Sequence, residues 1–66
     1  MPHGIIIDNS QNAYIVWVAG NAGNYQCAKT VLCGGDSLNF TVNANTGSIT
    51  VNTKNGTDTA ITYIGA

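Results

Sequence analysis

The chain contains no arginine and no glutamate, and its whole charged set is Lys29, Lys54, Asp8, Asp36 and Asp58. Nucleic-acid binding draws its affinity from several cationic contacts to phosphate, which two distant lysines do not supply, so no nucleic-acid partner is expected. An anionic membrane surface is disfavoured for the same reason. Long hydrophobic runs are missing too: the longest, Ala13 to Ala19 (AYIVWVA), falls far short of the roughly 20 residues of a membrane-spanning helix. The opening MPHGIII has neither the basic segment nor the extended apolar stretch of a secretory signal. The expectation is a cytosolic chain, one released by a non-classical route, or a mature fragment with an added Met. Composition favours an extracellular or surface setting.

Nine Asn, eight Thr and eight Gly stand where charged surface residues usually do, while hydrophobic residues make up 44% of the chain. That apolar and β-branched content is too high for disorder. With 66 residues the chain makes a single domain, residues 1–66. A domain of that size buries only about 60% of the surface its unfolded chain exposes, so it gains from a staple or a partner.

The segments between turn signals are short. Ile5 to Ile7 ends in Asp8-Asn9-Ser10, and Ala13 to Ala19 is closed by Gly20 to Asn24. The second run is apolar at every position and reads as a central strand covered on both faces, with Trp17 as the anchor of the core; periodicity alone does not separate it from a short buried helix. Tyr25 to Cys33, Leu38 to Asn43, Ser48 to Thr53 and Thr59 to Ile64 follow. The turns between the last four contain Gly34-Gly35-Asp36, Asn45-Thr46-Gly47 and Asn55-Gly56, the last being the strongest short hairpin signal. About six short strands at this spacing predict an all-β fold, a small antiparallel sandwich or barrel.

Catalytic chemistry has little to work with, and the chain is expected not to be an enzyme and to need no cofactor. His3, the single histidine, lies in an expected mobile terminus, so Ser10, Ser37 and Ser48 lack an internal base. Asp8, Asp36 and Asp58 stand in or beside turns, where capping the backbone is their ordinary role; an acid/base pair and a Ca²⁺ site are the alternatives, without EF-hand spacing. Cys27 and Cys33 are separated by five residues, a spacing that suits neither Cys-x-x-Cys redox chemistry nor zinc. On one strand the thiols are about 20 Å apart at roughly 3.3 Å per residue, so a disulfide requires a turn near Lys29-Thr30. Two buried thiols is the favoured reading.

Between Leu38 and Thr53, apolar residues alternate with Asn39, Thr41 and Asn43, then with Ser48, Thr50 and Asn52. An outer face of amides and hydroxyls suits contact with a glycan, with another copy of the chain, or with a membrane. Sugars present hydroxyls and an apolar C–H face, which aromatic rings and loop amides or carboxylates together recognise. The candidate binding residues are Asp36, Asn39, Asn55 and Asp58 with Tyr25 or Tyr63. Asn39-Phe40-Thr41 and Asn55-Gly56-Thr57 are also glycosylation sequons, relevant only in a eukaryotic secretory pathway.

Tyr14-Ile15-Val16-Trp17-Val18-Ala19, followed by Leu32, Gly35-Asp36-Ser37-Leu38, Phe40, Val42 and Gly47, resembles the β-sandwich core of the thaumatin-like family. The resemblance covers residues 14–49 and implies a sandwich and contact with glycan. Family members are longer, secreted and disulfide-rich, and their acidic cleft residues and cysteine framework are missing here, so hydrolysis is not implied.

The sequence therefore predicts a non-enzymatic, lectin-like carbohydrate-binding module. The alternative is a self-assembling coat, fibre or surface subunit. A pore-forming role comes last, because each arm of the 38–53 hairpin has about six residues and spanning strands need about 9–11. Homo-oligomers are expected in either leading case: the core is small, charge is sparse, and lysine and proline rarely guard the strand edges.

Overall fold

The computed structural model describes residues 3–65, of His3 the backbone only, so the single proline, Pro2, lies outside the described residues. The chain is all-β, with β1 (His3–Asp8), β2 (Ala13–Ala19), β3 (Gln26–Cys33), β4 (Leu38–Val42), β5 (Ile49–Thr53) and β6 (Ile61–Gly65). Four strands form one sheet in the order β3-β2-β1-β6, and β4-β5 form a second, two-stranded sheet. Every pairing is antiparallel. His3 opens β1 opposite Trp17, so it belongs to the sheet and not to a mobile terminus.

Alternation along each strand divides the large sheet into two faces. Ile6 lies between Tyr14 and Tyr63, and Tyr14 lies opposite Val31, so these side chains share the inner face. The β4-β5 hairpin covers that face. Ile6, Tyr14, Val16 and Leu38 form the buried core, with Val31, Phe40, Ile49 and Val51 packed around it. Tyr14 is 0% exposed and meets Phe40 edge-to-face, ring centroids 5.7 Å apart at 68°, the geometry aromatic quadrupoles favour.

Ile5, Ile7, Ile15 and Trp17 have the opposite parity and lie on the outer face. Two expectations change here. β2 is central in its sheet but covered on one face only, and Trp17 is 48% exposed. After four strands are spent on the large sheet, the chain has only the hairpin left as a second layer. Tyr14, not Trp17, anchors the core.

β3 is one unbroken strand, so there is no turn at Lys29-Thr30 and both thiols are free. Cys27 is half-buried, its S–H directed at the Phe40 carbonyl at 3.6 Å. Cys33 is exposed, contrary to the expectation of two buried thiols. A register irregularity between Ala13 and Tyr14 places Cys33 opposite Ala13, whereas Cys27 lies opposite Val18, so the bulge separates the two cysteines by face as well as by length.

Candidate functional site

The loops collect at the two ends of the sandwich. At one end the β1-β2 loop, residues 34–37 and residues 54–60 come together around Asp8. The turn that reverses the chain after β1 is closed by Asp8 N–H donating to the Asn12 carbonyl at 3.0 Å and by Gln11 N–H donating to the Asp8 carbonyl at 3.1 Å. The Asp8 carboxylate is buried. It accepts from the Ser10 N–H at 2.9 Å, the Asn12 N–H and Nδ2 each at 3.0 Å, and the Tyr14 hydroxyl at 3.2 Å. Burial pushes this carboxyl up, but those four donors together outweigh it and hold Asp8 below its ordinary value. Asn12 Oδ1 accepts from Gly35 N–H at 2.7 Å, and the Tyr14 oxygen accepts from Ser37 N–H at 2.9 Å. Asp8 is thus the buried centre of a network that ties the β1-β2 loop to the segment entering β4.

Beside it, Lys29 and Lys54 flank Asp36. Lys29 Nζ donates to Asp36 Oδ1 at 2.5 Å and also to the Leu38 carbonyl; Lys54 Nζ lies 3.1 Å from Asp36 Oδ2. Hydrogen bonds from Lys29 first and Lys54 second hold the Asp36 carboxyl below its ordinary value. The Lys29 ammonium also sits 6.0 Å from the Tyr14 ring centre and 5.9 Å from that of Phe40. Its stem therefore runs along the inner face while its charge is neutralised at the rim.

Of the predicted binding residues, Asn55 and Asp58 come together, lining with Asp8, Ser10 and Ser37 a polar trough of about 210 Å³. Asn55 is already committed to its own turn, its Oδ1 accepting from Thr57 N–H at 2.9 Å. Asp36 is engaged by both lysines. Asn39 lies away from the trough on the outer face of the hairpin, where it pairs across strands with Asn52, as Thr41 does with Thr50. The two rings lie elsewhere. Tyr25 stacks over Gly47 at the opposite end, where Gly23 and Tyr25 N–H both donate to the Ala44 carbonyl. Tyr63 lies across Gly4 and Gly65. The six residues do not form one site.

Tyr63 borders a different space. The hairpin sits toward the β3 side of the large sheet, leaving an apolar cleft of about 340 Å³ along the exposed β6, with the buried Ile6 of β1 at its floor. Ile6, Val16, Val18, Ile49, Val51 and Ile61 line it with the Tyr63 ring. Neither this cleft nor the Asp8 network was evident in the sequence.

Among the described residues, no three His, Cys, Asp or Glu side chains converge as metal ligands. Compared with protein-family models, with curated proteins and with solved structures, the chain matches none.

Proposed function

We propose that the chain is a structural, self-assembling subunit that packs on copies of itself through the outer face of the β3-β2-β1-β6 sheet. One observation carries this reading: that face presents Ile5, Ile7, Ile15, Trp17, Leu32 and Ile64 with no lysine or aspartate among them. All five charged residues lie on the inner face or in the loops. Four strands about 4.8 Å apart and some six residues long make a plane of roughly 400 Å², on which these apolar residues are interrupted only by neutral ones such as Thr30 and Thr62. Among the described residues no lysine or aspartate opposes a second copy there, and a net charge of −1 adds little long-range repulsion.

Light scattering after size-exclusion chromatography tests it. The expected mass exceeds 6.8 kDa and rises with concentration in the micromolar range. Trp17→Lys, which sets a charge on this face in the row next to Ile5 and Ile15, lowers that mass while circular dichroism is unchanged. A protein that stays at 6.8 kDa at every concentration overturns the reading.

Carbohydrate binding is the second reading. The Asn39–Asn52 and Thr41–Thr50 rungs of the hairpin and the trough at Asn55 and Asp58 support it. No aromatic ring lines that trough, which is why it ranks below assembly. Binding to a glycan array that free sugar competes away would reverse the order.

A further inference from the structure

The two edges of the large sheet are unequal. β3 carries the inward-pointing Lys29 and runs beside β4, which is also tied to it by the Lys29 bond to the Leu38 carbonyl. Inward charges and covering elements are standard protection for a strand edge. β6 has neither. All five of its residues are exposed, its ladder partner is β1 alone, and it holds no charge and no proline. Ile61, Tyr63 and Ile64 are 43%, 58% and 53% exposed. The apolar cleft opens beside it, between β6 and β5, which itself pairs only with β4.

A strand added along β6 must therefore be apolar on both sides. Its inward residues meet the open flank of the cleft, and its outward residues continue the uncharged outer face. β6 itself meets both requirements, with Ile61 and Tyr63 on the inner parity and Ile64 on the outer. Antiparallel pairing of identical strands about a two-fold axis is self-complementary, so both backbones find partners in a single closed contact.

We infer that β6 is the edge by which two copies of this chain join into one continuous eight-stranded sheet, the Ile61 and Tyr63 side chains of each copy closing the open flank of the other's cleft. This rests on the self-assembly reading but uses a separate surface. Edge pairing and face packing are independent contacts, and a chain that has both builds assemblies larger than a dimer.

The test is made with face packing switched off by Trp17→Lys. That variant is expected at twice 6.8 kDa, and adding Tyr63→Lys brings it to 6.8 kDa. With Cys27→Ser and Cys33→Ser also in place, single cysteines at Thr62, Tyr63 and Ile64 are oxidised mildly. At least one gives a disulfide-linked dimer, whereas Thr30→Cys on β3 gives none. A Trp17→Lys protein that is already monomeric and does not cross-link overturns the β6 contact and leaves face packing standing. If Trp17→Lys leaves the mass of the unmodified protein unchanged while Tyr63→Lys lowers it, face packing fails and the β6 contact stands. Hydrogen exchange on the unmodified chain needs no substitution: amides of residues 61–65 gain protection as concentration rises, and protection independent of concentration overturns the inference.

Discussion

The Tyr14 hydroxyl lies 3.2 Å from Asp8 Oδ2 and accepts from the Ser37 N–H at 2.9 Å, so one oxygen joins the first turn of the chain to the start of its hairpin. Tyr14→Phe keeps the ring against Phe40 and removes these bonds together with the hydroxyl's contact to the Gly35 carbonyl at 3.3 Å. The expected loss in urea unfolding is about 1–3 kcal/mol. Tyr14→Ala empties the largest fully buried position and loses about 3–5 kcal/mol. Against a whole-domain stability of about 5–15 kcal/mol, that leaves the protein largely unfolded.

Trp17→Ala is expected to behave differently. The side chain is half exposed on the outer face, and the change lowers stability by about 1 kcal/mol or less. Its effect shows in light scattering as a smaller assembly, not in the melting temperature. A melting temperature that collapses in Trp17→Ala would restore the tryptophan to the core.

Acid sensitivity follows from the two perturbed carboxylates. Asp8 and Asp36 both titrate below 3.8 in the folded chain. At neutral pH they are ionised whether the chain is folded or not, and their contribution to stability is complete. As pH falls through 3.8 the unfolded chain takes up protons before the folded one, so stability drops until the folded values are also passed. The melting temperature is expected to be level from about pH 7 to 5 and to fall as pH drops below about 4. Asp8→Asn and Asp36→Asn each flatten that fall. Added salt weakens the half-exposed Asp36 share and spares that of Asp8.

Two glycines test the loop geometry. Gly34 has φ +81°, and a Cβ there would collide with Asn12 Oδ1 and its backbone. Gly56 has φ +74° with nothing within 4 Å of the same added atom. Gly56→Ala meets only the left-handed backbone penalty, about 1–2 kcal/mol. Gly34→Ala adds displacement of Asn12 from Gly35 and Asp8, for a loss of about 2–5 kcal/mol. Equal losses in the two variants would show that Asn12 is not held in place by Gly34.

The strands were legible because their signals are local. Alternation in 38–53 marks both arms of the hairpin, and Gly and Asn mark most of the turns, so β2 runs over the same Ala13–Ala19 that the sequence predicts. Which face of β2 is buried was not legible. Every position in AYIVWVA is apolar, so the run contains no parity signal, and ring size alone pointed to Trp17. Parity is set by where the hairpin lies, a contact between residues about 25 apart, such as Tyr14 with Phe40. The six candidate binding residues were chosen by chemical type, and type does not encode distance. Asn55 and Asp58 are close because one loop holds both, while Tyr25 is at the far end because β3 runs the length of the sheet.

The sheet order has a consequence for how the chain is made. β1 lies between β2 and β6, although β6 comes last of the six strands. At about 5–20 residues per second, translation leaves roughly 3–10 s in which β1 has been synthesised and β6 has not. From the moment β2 pairs with it until β6 arrives, the tract Ile5-Ile6-Ile7 is an unprotected sheet edge, and neither lysine of the chain lies beside it. Nascent chains on one polysome carry that edge at high local concentration. A chain cut before Ile61 keeps that edge unpaired, so premature termination exposes an aggregation-prone strand rather than giving a slightly shortened domain.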